Sequence, residues 1–195
     1  MTVDGAKGHK LEVSSEGEVL SHSSSKPIEE AEALIGNSWL VEADVTFDDG
    51  NQGGVLFLKN DSDSDTYVVA NMYYYLGNST GGSGDVEMLV TANPTGGTLI
   101  SEASAAQKSN QQMGGLLLEK LTSYKGAGAG KTVLGGTTHH VCVLATGTNR
   151  KKLDVGVVVM PPGTAVALSY TPPSGNTSQR VVAQAEVYKR TLGKV

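Results

Sequence analysis

Residues 39–47 read Trp-Leu-Val-Glu-Ala-Asp-Val-Thr-Phe, and this stretch decides the class of fold. Apolar and polar side chains alternate along it with a period of two. The apolar set is Trp39, Val41, Ala43, Val45 and Phe47, and the polar set is Glu42, Asp44 and Thr46. Successive side chains of a β-strand point to opposite faces, so the alternation predicts a strand with one buried and one solvated face.

Similar strand patterns recur along the chain, separated by turns rich in Gly, Asn, Asp and Pro. The predicted strands are 55–59, 66–76, 86–92, 98–103, 138–145, 153–160, 165–170 and 181–189. Residues 104–115 read as a long loop, and residues 116–124 fit either a strand or a short helix. Without helices to carry parallel crossovers, this pattern predicts an all-β, antiparallel two-sheet sandwich. The jelly-roll type is the leading case, ahead of an immunoglobulin-type sandwich, because the chain is long and its loops are uneven.

The composition agrees with short strands joined by glycine-rich turns. Of the 195 residues, 25 are Gly, while 38% are hydrophobic and 18% are charged. A helical bundle or coiled coil needs far more Ala, Glu, Lys, Leu and Arg, and collagen needs Gly at every third position. The formal net charge of -5 argues against a wide nucleic-acid interface, so no nucleic-acid partner is expected.

Residues 1–36 are more polar than the rest, with apolar pairs only at positions 11/13 and 19/20. We interpret them as an N-terminal arm, either extended or forming edge strands, and residues 37–195 as the sandwich domain. Residues 29–34 would permit one or two helical turns. The polar start of the chain predicts no signal peptide, and no apolar run reaches the ~18 residues of a membrane span. A soluble chain without a membrane partner is therefore expected.

Few residues suggest chemistry. The single cysteine, Cys142, excludes an internal disulfide and a cysteine-based zinc site. Residues 126–130 (GAGAG) precede Lys131 and imitate a phosphate-binding loop, but the first Gly of that motif would fall at Lys125. The densest basic cluster is residues 150–152 (RKK), which we interpret as a solvated turn.

A second group of candidates consists of residue types that bind metals. Asp61, Asp63 and Asp65 resemble the start of a calcium loop, because hard cations prefer carboxylate oxygens. An EF-hand then needs Gly and Glu where this chain has Thr66 and Met72, so a solvated turn is favoured and a weak ion site stays open.

The histidines and the cysteine give no support for catalysis. His139 and His140 are adjacent in a predicted strand, so they point to opposite faces and cannot chelate one metal ion without a bulge. Cys142 alternates as a small core residue, and the chain contains no nucleophile-elbow motif. We therefore assign no catalytic, cofactor-binding or metal-binding residue, and we expect neither an enzyme nor a cofactor.

Residues 73–75 are three consecutive tyrosines, which puts aromatic rings on both faces of one strand. In the first interpretation, one face packs into the core and Tyr74 lies at the rim. In the second, the tyrosines form a sugar-stacking platform or a subunit contact, because tyrosine presents an apolar ring and a polar tip.

Much of the chain resembles a family of tailed-phage virion proteins. The matching stretches are 55–60 (VLFLKN), 73–84 (YYYLGNSTGGSG), 93–98 (NPTGGT), 160–164 (MPPGT), 170–178 (YTPPSGNTS) with the strand after it, and the N-terminal VDG at 3–5 with LEV at 11–13. The likeness is a pattern of strands and turns. Residues 126–130 and 150–152 depart from it.

This resemblance implies a jelly-roll structural protein of the virion, made in the host cytoplasm. We expect a trimeric decoration or cement protein that contacts the major capsid protein or neighbouring virion subunits of a bacteriophage. Residues 1–36 would add strands to a neighbour or to the shell. The alternative is a receptor-binding tail fibre or spike head domain that binds host glycans through Tyr74 and residues 77–84.

Overall fold

A computed structural model describes the chain as β-strands joined by turns. The described residues are 3–4, 10–13, 19–20, 36–48, 50–78, 82–90, 93–94, 98–100, 108–110, 120–126, 133–134, 137–145, 147 and 150–190. The strands in these ranges are β1 (Val3–Asp4), β2 (Lys10–Val13), β3 (Val19–Leu20), β4 (Ser38–Phe47), β5 (Gly53–Asn60), β6 (Thr66–Leu76), β7 (Ser83–Val90), β8 (Asn93–Pro94), β9 (Thr98–Leu99), β10 (Lys108–Asn110), β11 (Leu121–Lys125), β12 (Val133–Leu134), β13 (Thr137–Ala145), β14 (Lys151–Lys152), β15 (Val158–Met160), β16 (Ala165–Thr171) and β17 (Gln179–Arg190).

Two antiparallel sheets form the body of the molecule. Sheet one has the order β10-β4-β17-β6-β14, with β15 also pairing with β6, and sheet two has the order β13-β7-β16-β5-β11-β9. Side chains from both sheets share one buried cluster, so the sheets pack face to face. The predicted all-β, antiparallel two-sheet sandwich is thereby confirmed.

The strand pairs of the sandwich are nested along the chain. β4 pairs with β17, β5 with β16, β6 with β15, and β7 with β13. Across the core, β4 and β17 contact β5, and β4 also contacts β11. The β15 end of sheet one and the β13 end of sheet two therefore lie on the same side of the sandwich.

The core follows from the alternation of residues 39–47. The alternating apolar set of β4 points inward and is buried, whereas Leu40 is half-buried and Thr46 is exposed. The side of the central strand β17 that points into the core carries small side chains, which leave room for large rings from other strands. These inward residues are Val181, Ala183, Ala185 and Val187. Phe47 of sheet one meets Tyr170 of sheet two edge to face, with ring centroids 5.4 Å apart, a contact that adds about 0.5–1.5 kcal/mol to simple burial.

The three strands described within residues 1–36 form a small sheet. β2 pairs with β1 on one side and β3 on the other, and within the described residues these strands pair with no strand of the sandwich. The helical turns predicted at 29–34 lie outside the described residues. The sandwich begins at Ser38, and the boundary between residues 36 and 37 stays a prediction.

Several predicted elements differ from the observed ones. The loop predicted at 104–115 is wrong at β10, which pairs with β4. For residues 116–124 the structure has a strand, β11, and not a helix, although residues 116–119 lie outside the described residues. The predicted strand 153–160 is reduced to β15, because Gly156 adopts a positive φ of 70° that interrupts extended backbone. In the basic turn 150–152, β14 pairs with β6 and is not only a solvated turn.

Candidate functional site

The aspartate loop joins β5 to β6, and lysines of β5 and β17 pair with two of its carboxylates. Asp61 forms an ion pair with Lys59 at 2.6 Å, and Asp65 forms one with Lys189 at 3.0 Å. Asp63 is exposed. Among the described residues, no group of three or more His, Cys, Asp or Glu side chains is arranged to hold a metal ion.

Asp61 is held in its charged form by its neighbours. Burial raises the pKa of the Asp61 carboxyl, but hydrogen bonds from Lys59 and Thr122, together with the charge of Lys59, outweigh burial. The net result is a pKa below the ordinary value. The carboxylate is thus committed to contacts within the chain.

The adjacent histidines lie at a bulge. The register of β13 against β7 shifts between Thr138 and His140, so His139 is the extra residue. His139 is exposed and His140 is half-buried. Cys142, two residues on, packs against the main core, as the alternation predicted. In the glycine-rich stretch that resembles a phosphate-binding loop, Gly126 follows β11, and residues 127–132 lie outside the described residues.

Tyr74 is fully buried, so the predicted position at the rim is wrong. Its hydroxyl points toward the carbonyl oxygen of Ser169 in sheet two at 3.4 Å. Burial, reinforced by the charge of Tyr170, raises the pKa of Tyr74 well above its ordinary value. Tyr73 and Tyr75 are half-buried and point to the opposite face. Of the loop 77–84, residues 79–81 lie outside the described residues.

A shallow depression of about 310 Å³ lies on the outer face of sheet one. We call its outward-facing lining the tyrosine face: Glu42, Tyr73, Tyr75, Arg150, Arg180, Val182 and Gln184. The register of β17 with its neighbours β4 and β6 aligns outward-facing side chains of the three strands in two rows. In one row Val182 lies between Asp44 and Tyr75, and in the next Gln184 lies between Glu42 and Tyr73.

The charged groups of the tyrosine face already have polar partners. The Arg180 guanidinium donates to both carboxylate oxygens of Asp44, with the shortest contact 2.7 Å. The hydrogen bond to Asp44, followed by the charge of Asp44, raises the pKa of Arg180. The Gln184 amide donates to the Glu42 carboxylate. These pairs fix the polar groups at the β4 side of the depression.

The opposite side of the depression is held by Arg150. Its guanidinium carbon lies 3.8 Å from the centre of the Tyr73 ring, and one of its nitrogens is 3.7 Å from Glu186. Asn71 donates to the same carboxylate at 2.6 Å. A cation over an aromatic face is favourable by about 0.5–1 kcal/mol at an exposed site. Arg150 thus covers the ring of Tyr73, whereas within the described part of the chain no cation stacks on the ring of Tyr75.

Exposed valines lie at the ends of both sheets, on β13 of sheet two and on or just before β15 of sheet one. Four valines there are more than half exposed: Val141 (53%), Val143 (63%), Val157 (60%) and Val159 (56%). We call these four residues the valine edge. β13 ends sheet two among the described strands, and residues 137–145 contain no Asp, Glu, Lys or Arg. The sequence pattern identified both strands, but exposure of the valines depends on which strands lie at the edges.

Comparison of the chain with protein-family models and with curated protein sequences finds no match. Among the described residues there is no helix long and apolar enough to cross a membrane.

Proposed function

We propose that this chain is a structural virion protein that decorates or cements a bacteriophage capsid through contacts between subunits. The observation that carries the proposal is the valine edge, four exposed apolar side chains of which Val141 and Val143 lie on β13, the end strand of sheet two among the described strands and one without charged residues. Natural sheets normally protect such edges with charges, prolines or a covering element. An edge of this kind is best explained by a partner that covers it.

The strand order supports a jelly roll. Eight strands of the sandwich, taken in chain order, pair first with last, second with seventh, third with sixth and fourth with fifth. They are β4, β5, β6, β7, β13, β15, β16 and β17. This is the order produced by rolling up one long hairpin, and jelly rolls are frequent among viral capsid proteins. Function does not follow from a fold alone, so the fold agrees with the proposal and the valine edge carries it.

The partners we propose are the major capsid protein or neighbouring virion subunits, with the chain itself acting as a homotrimer. Backbone pairing along β13 would supply hydrogen bonds, and the exposed valines would supply apolar burial. Each square ångström of apolar surface removed from water contributes roughly 25 cal/mol. The proposal assigns no catalytic or cofactor-binding residue.

The test places lysines on the valine edge. Val141 and Val143 lie in register opposite Glu87 and Asp85 of β7, so Val141→Lys with Val143→Lys meets acidic neighbours and is compatible with the sheet. In the proposed interface, each lysine would replace apolar contacts with a charged group that has to leave water. We expect the double variant to fold normally and to lose at least 100-fold in affinity for capsids that lack the protein, measured by co-sedimentation and by electron microscopy of particles.

The matched control is Thr177→Lys, which adds a lysine at an exposed loop position before β17. It should occupy particles as the unmodified protein does. Normal particle occupancy by the folded double variant would contradict the role of the valine edge. Absence of the unmodified protein from capsids would contradict the proposed function as a whole.

A glycan-binding tail fibre or spike head domain is the second candidate function. It is favoured by one observation, the half-buried pair Tyr73 and Tyr75 on the outer face of sheet one. Tyr74, buried in the core, takes no part in this version. Finding the protein on tails and not on capsids would favour it over decoration.

A further inference from the structure

We propose that the tyrosine face binds a neutral saccharide. The inference gives the ligand class for the second candidate function, and it is independent of capsid binding because it concerns the isolated protein. It stands on the rings, the polar groups and the charge balance of the depression.

The floor of the depression suits the apolar face of a sugar ring. Val182 lies in register beside Tyr75, and together they form an apolar patch within a polar surface. The C–H groups on one face of a pyranose pack against an aromatic ring, while the hydroxyl of tyrosine stays available for hydrogen bonds. Since Arg150 covers Tyr73, the stacking platform is assigned to Tyr75.

The polar groups beside this floor are of the kind that bind sugar hydroxyls. Glu42 offers carboxylate oxygens, and Gln184 offers both an amide donor and an acceptor. Their mutual hydrogen bond orients the two groups next to each other before a ligand arrives. A depression of about 310 Å³ is at the low end of small-molecule sites, which suits one or two sugar rings.

The charges around the depression favour a neutral ligand over an anionic one. The carboxylates are Glu42, Asp44 and Glu186, and the cations are Arg150, Arg180 and Lys152, which lies in register with Tyr73. The two sets balance. Both arginines already contact carboxylates, so a sulfated or sialylated sugar would have to compete with Asp44 or Glu186 for them.

Two measurements on the purified full chain test the assignment. Titrations with maltose, lactose, mannobiose and chitobiose, followed by NMR, detect weak binding of free sugars. An array of immobilised neutral and sialylated glycans detects recognition of surface-bound ones. We expect at least one neutral sugar to bind. Tyr75→Ala should weaken that binding at least tenfold, while Tyr75→Phe, which keeps the ring, should stay within about threefold.

Further variants separate this site from others. Gln184→Met keeps the length of the side chain but removes its amide, and it should weaken binding at least fivefold. Thr177→Ala, away from the depression, should leave binding unchanged. The valine-edge variant should also bind sugar normally, so failure of capsid binding and failure of sugar binding are distinguishable. The proposal is overturned if no neutral sugar binds, if only sialylated glycans bind, or if Tyr75→Ala binds as well as the unmodified protein.

Discussion

At the scale of single residues, two tyrosine hydroxyls lie within the core and respond to pH. Tyr74 and Tyr170 are both fully buried. Burial raises the pKa of Tyr170 to about 12, with the charge of Asp85 adding to the effect and the hydrogen bond to Gln179 opposing it. Neither hydroxyl can ionise in place without placing a negative charge between the sheets.

These raised pKa values predict a loss of stability in alkali. In the unfolded chain both tyrosines ionise near pH 10, while in the folded protein they stay protonated. Their contribution is therefore complete below pH 10 and is lost as the pH rises toward the folded values. The expected slope is about 1.4 kcal/mol per pH unit for each tyrosine, measured by urea unfolding between pH 9 and pH 11.5.

Substitution separates these tyrosines from the other groups that titrate in alkali. Tyr74→Phe removes one ionising hydroxyl and a long hydrogen bond, so it should cost at most about 1 kcal/mol at pH 8 and should reduce the alkaline slope. An alkaline slope of Tyr74→Phe equal to that of the unmodified protein would contradict this account.

At the scale of elements, the contact between β7 and β16 depends on one glycine. A Cβ atom at Gly84 would overlap the ring and hydroxyl of Tyr170. That hydroxyl donates to Gln179 at 2.9 Å, and Gln179 in turn donates to the carbonyl oxygen of Gly77 at 3.0 Å. The missing side chain at position 84 therefore allows the tyrosine to lie across β7 and to link three strands.

Gly84→Ala should consequently lower stability far more than an exposed substitution does. Moving the ring disturbs a buried chain of hydrogen bonds, and we expect a cost of about 2–4 kcal/mol. For a chain of this size the midpoint of thermal unfolding should fall by roughly 5–15 °C. Gly82→Ala is the control, because its Cβ would meet no atom within 4 Å. Equal midpoints for the two variants would refute the close contact.

Local patterns predicted the strands well but could not predict which side chains of a strand point into the core. Local strand patterns found β4, β6, β16 and β17 nearly to the residue, because each has a side that packs into one core. In β6, counting by twos from Tyr67 and Val69 would point Tyr73 and Tyr75 inward. A bulge in β6 opposite the Glu186–Val187 step of β17 shifts the phase, so Tyr74 faces the core instead.

The candidate surfaces were the least predictable part for the same reason. The tyrosine face joins residues from β4, β6 and β17 with Arg150, and only the pairing of strands far apart in sequence brings them together. The triple tyrosine was the local signal, but it does not indicate which of its rings faces outward. The valine edge likewise depends on β13 and β15 lying at the ends of their sheets.

At the scale of the whole molecule, the nested pairing separates surfaces that could act independently. The tyrosine face lies on the outer side of sheet one, and the valine edge lies where β13 and β15 end the two sheets. The small sheet of β1, β2 and β3 is a third unit. Within the described residues its strands pair only with one another, so the pairing of the sandwich strands does not depend on them.

This independence leads to a prediction for the N-terminal arm. Ordering an extended segment costs roughly 1–2 kcal/mol per residue in backbone entropy, so an arm becomes ordered on a particle only where it gains pairing or burial there. Deleting residues 1–25 should leave the midpoint of thermal unfolding within about 3 °C of the full chain, because the sandwich begins at Ser38. Binding to capsids should be abolished, measured by co-sedimentation and particle imaging.

A matched control keeps the length of the arm and removes its pairing. Leu11→Asp with Val13→Asp breaks the apolar pattern of β2 and should reduce particle occupancy without lowering the stability of the sandwich. Together with the valine-edge variant, it separates two attachment modes. Loss in both variants means that arm and edge act together, whereas loss in the edge variant alone assigns attachment to β13. If the shortened chain occupies particles normally, the arm has no role in attachment.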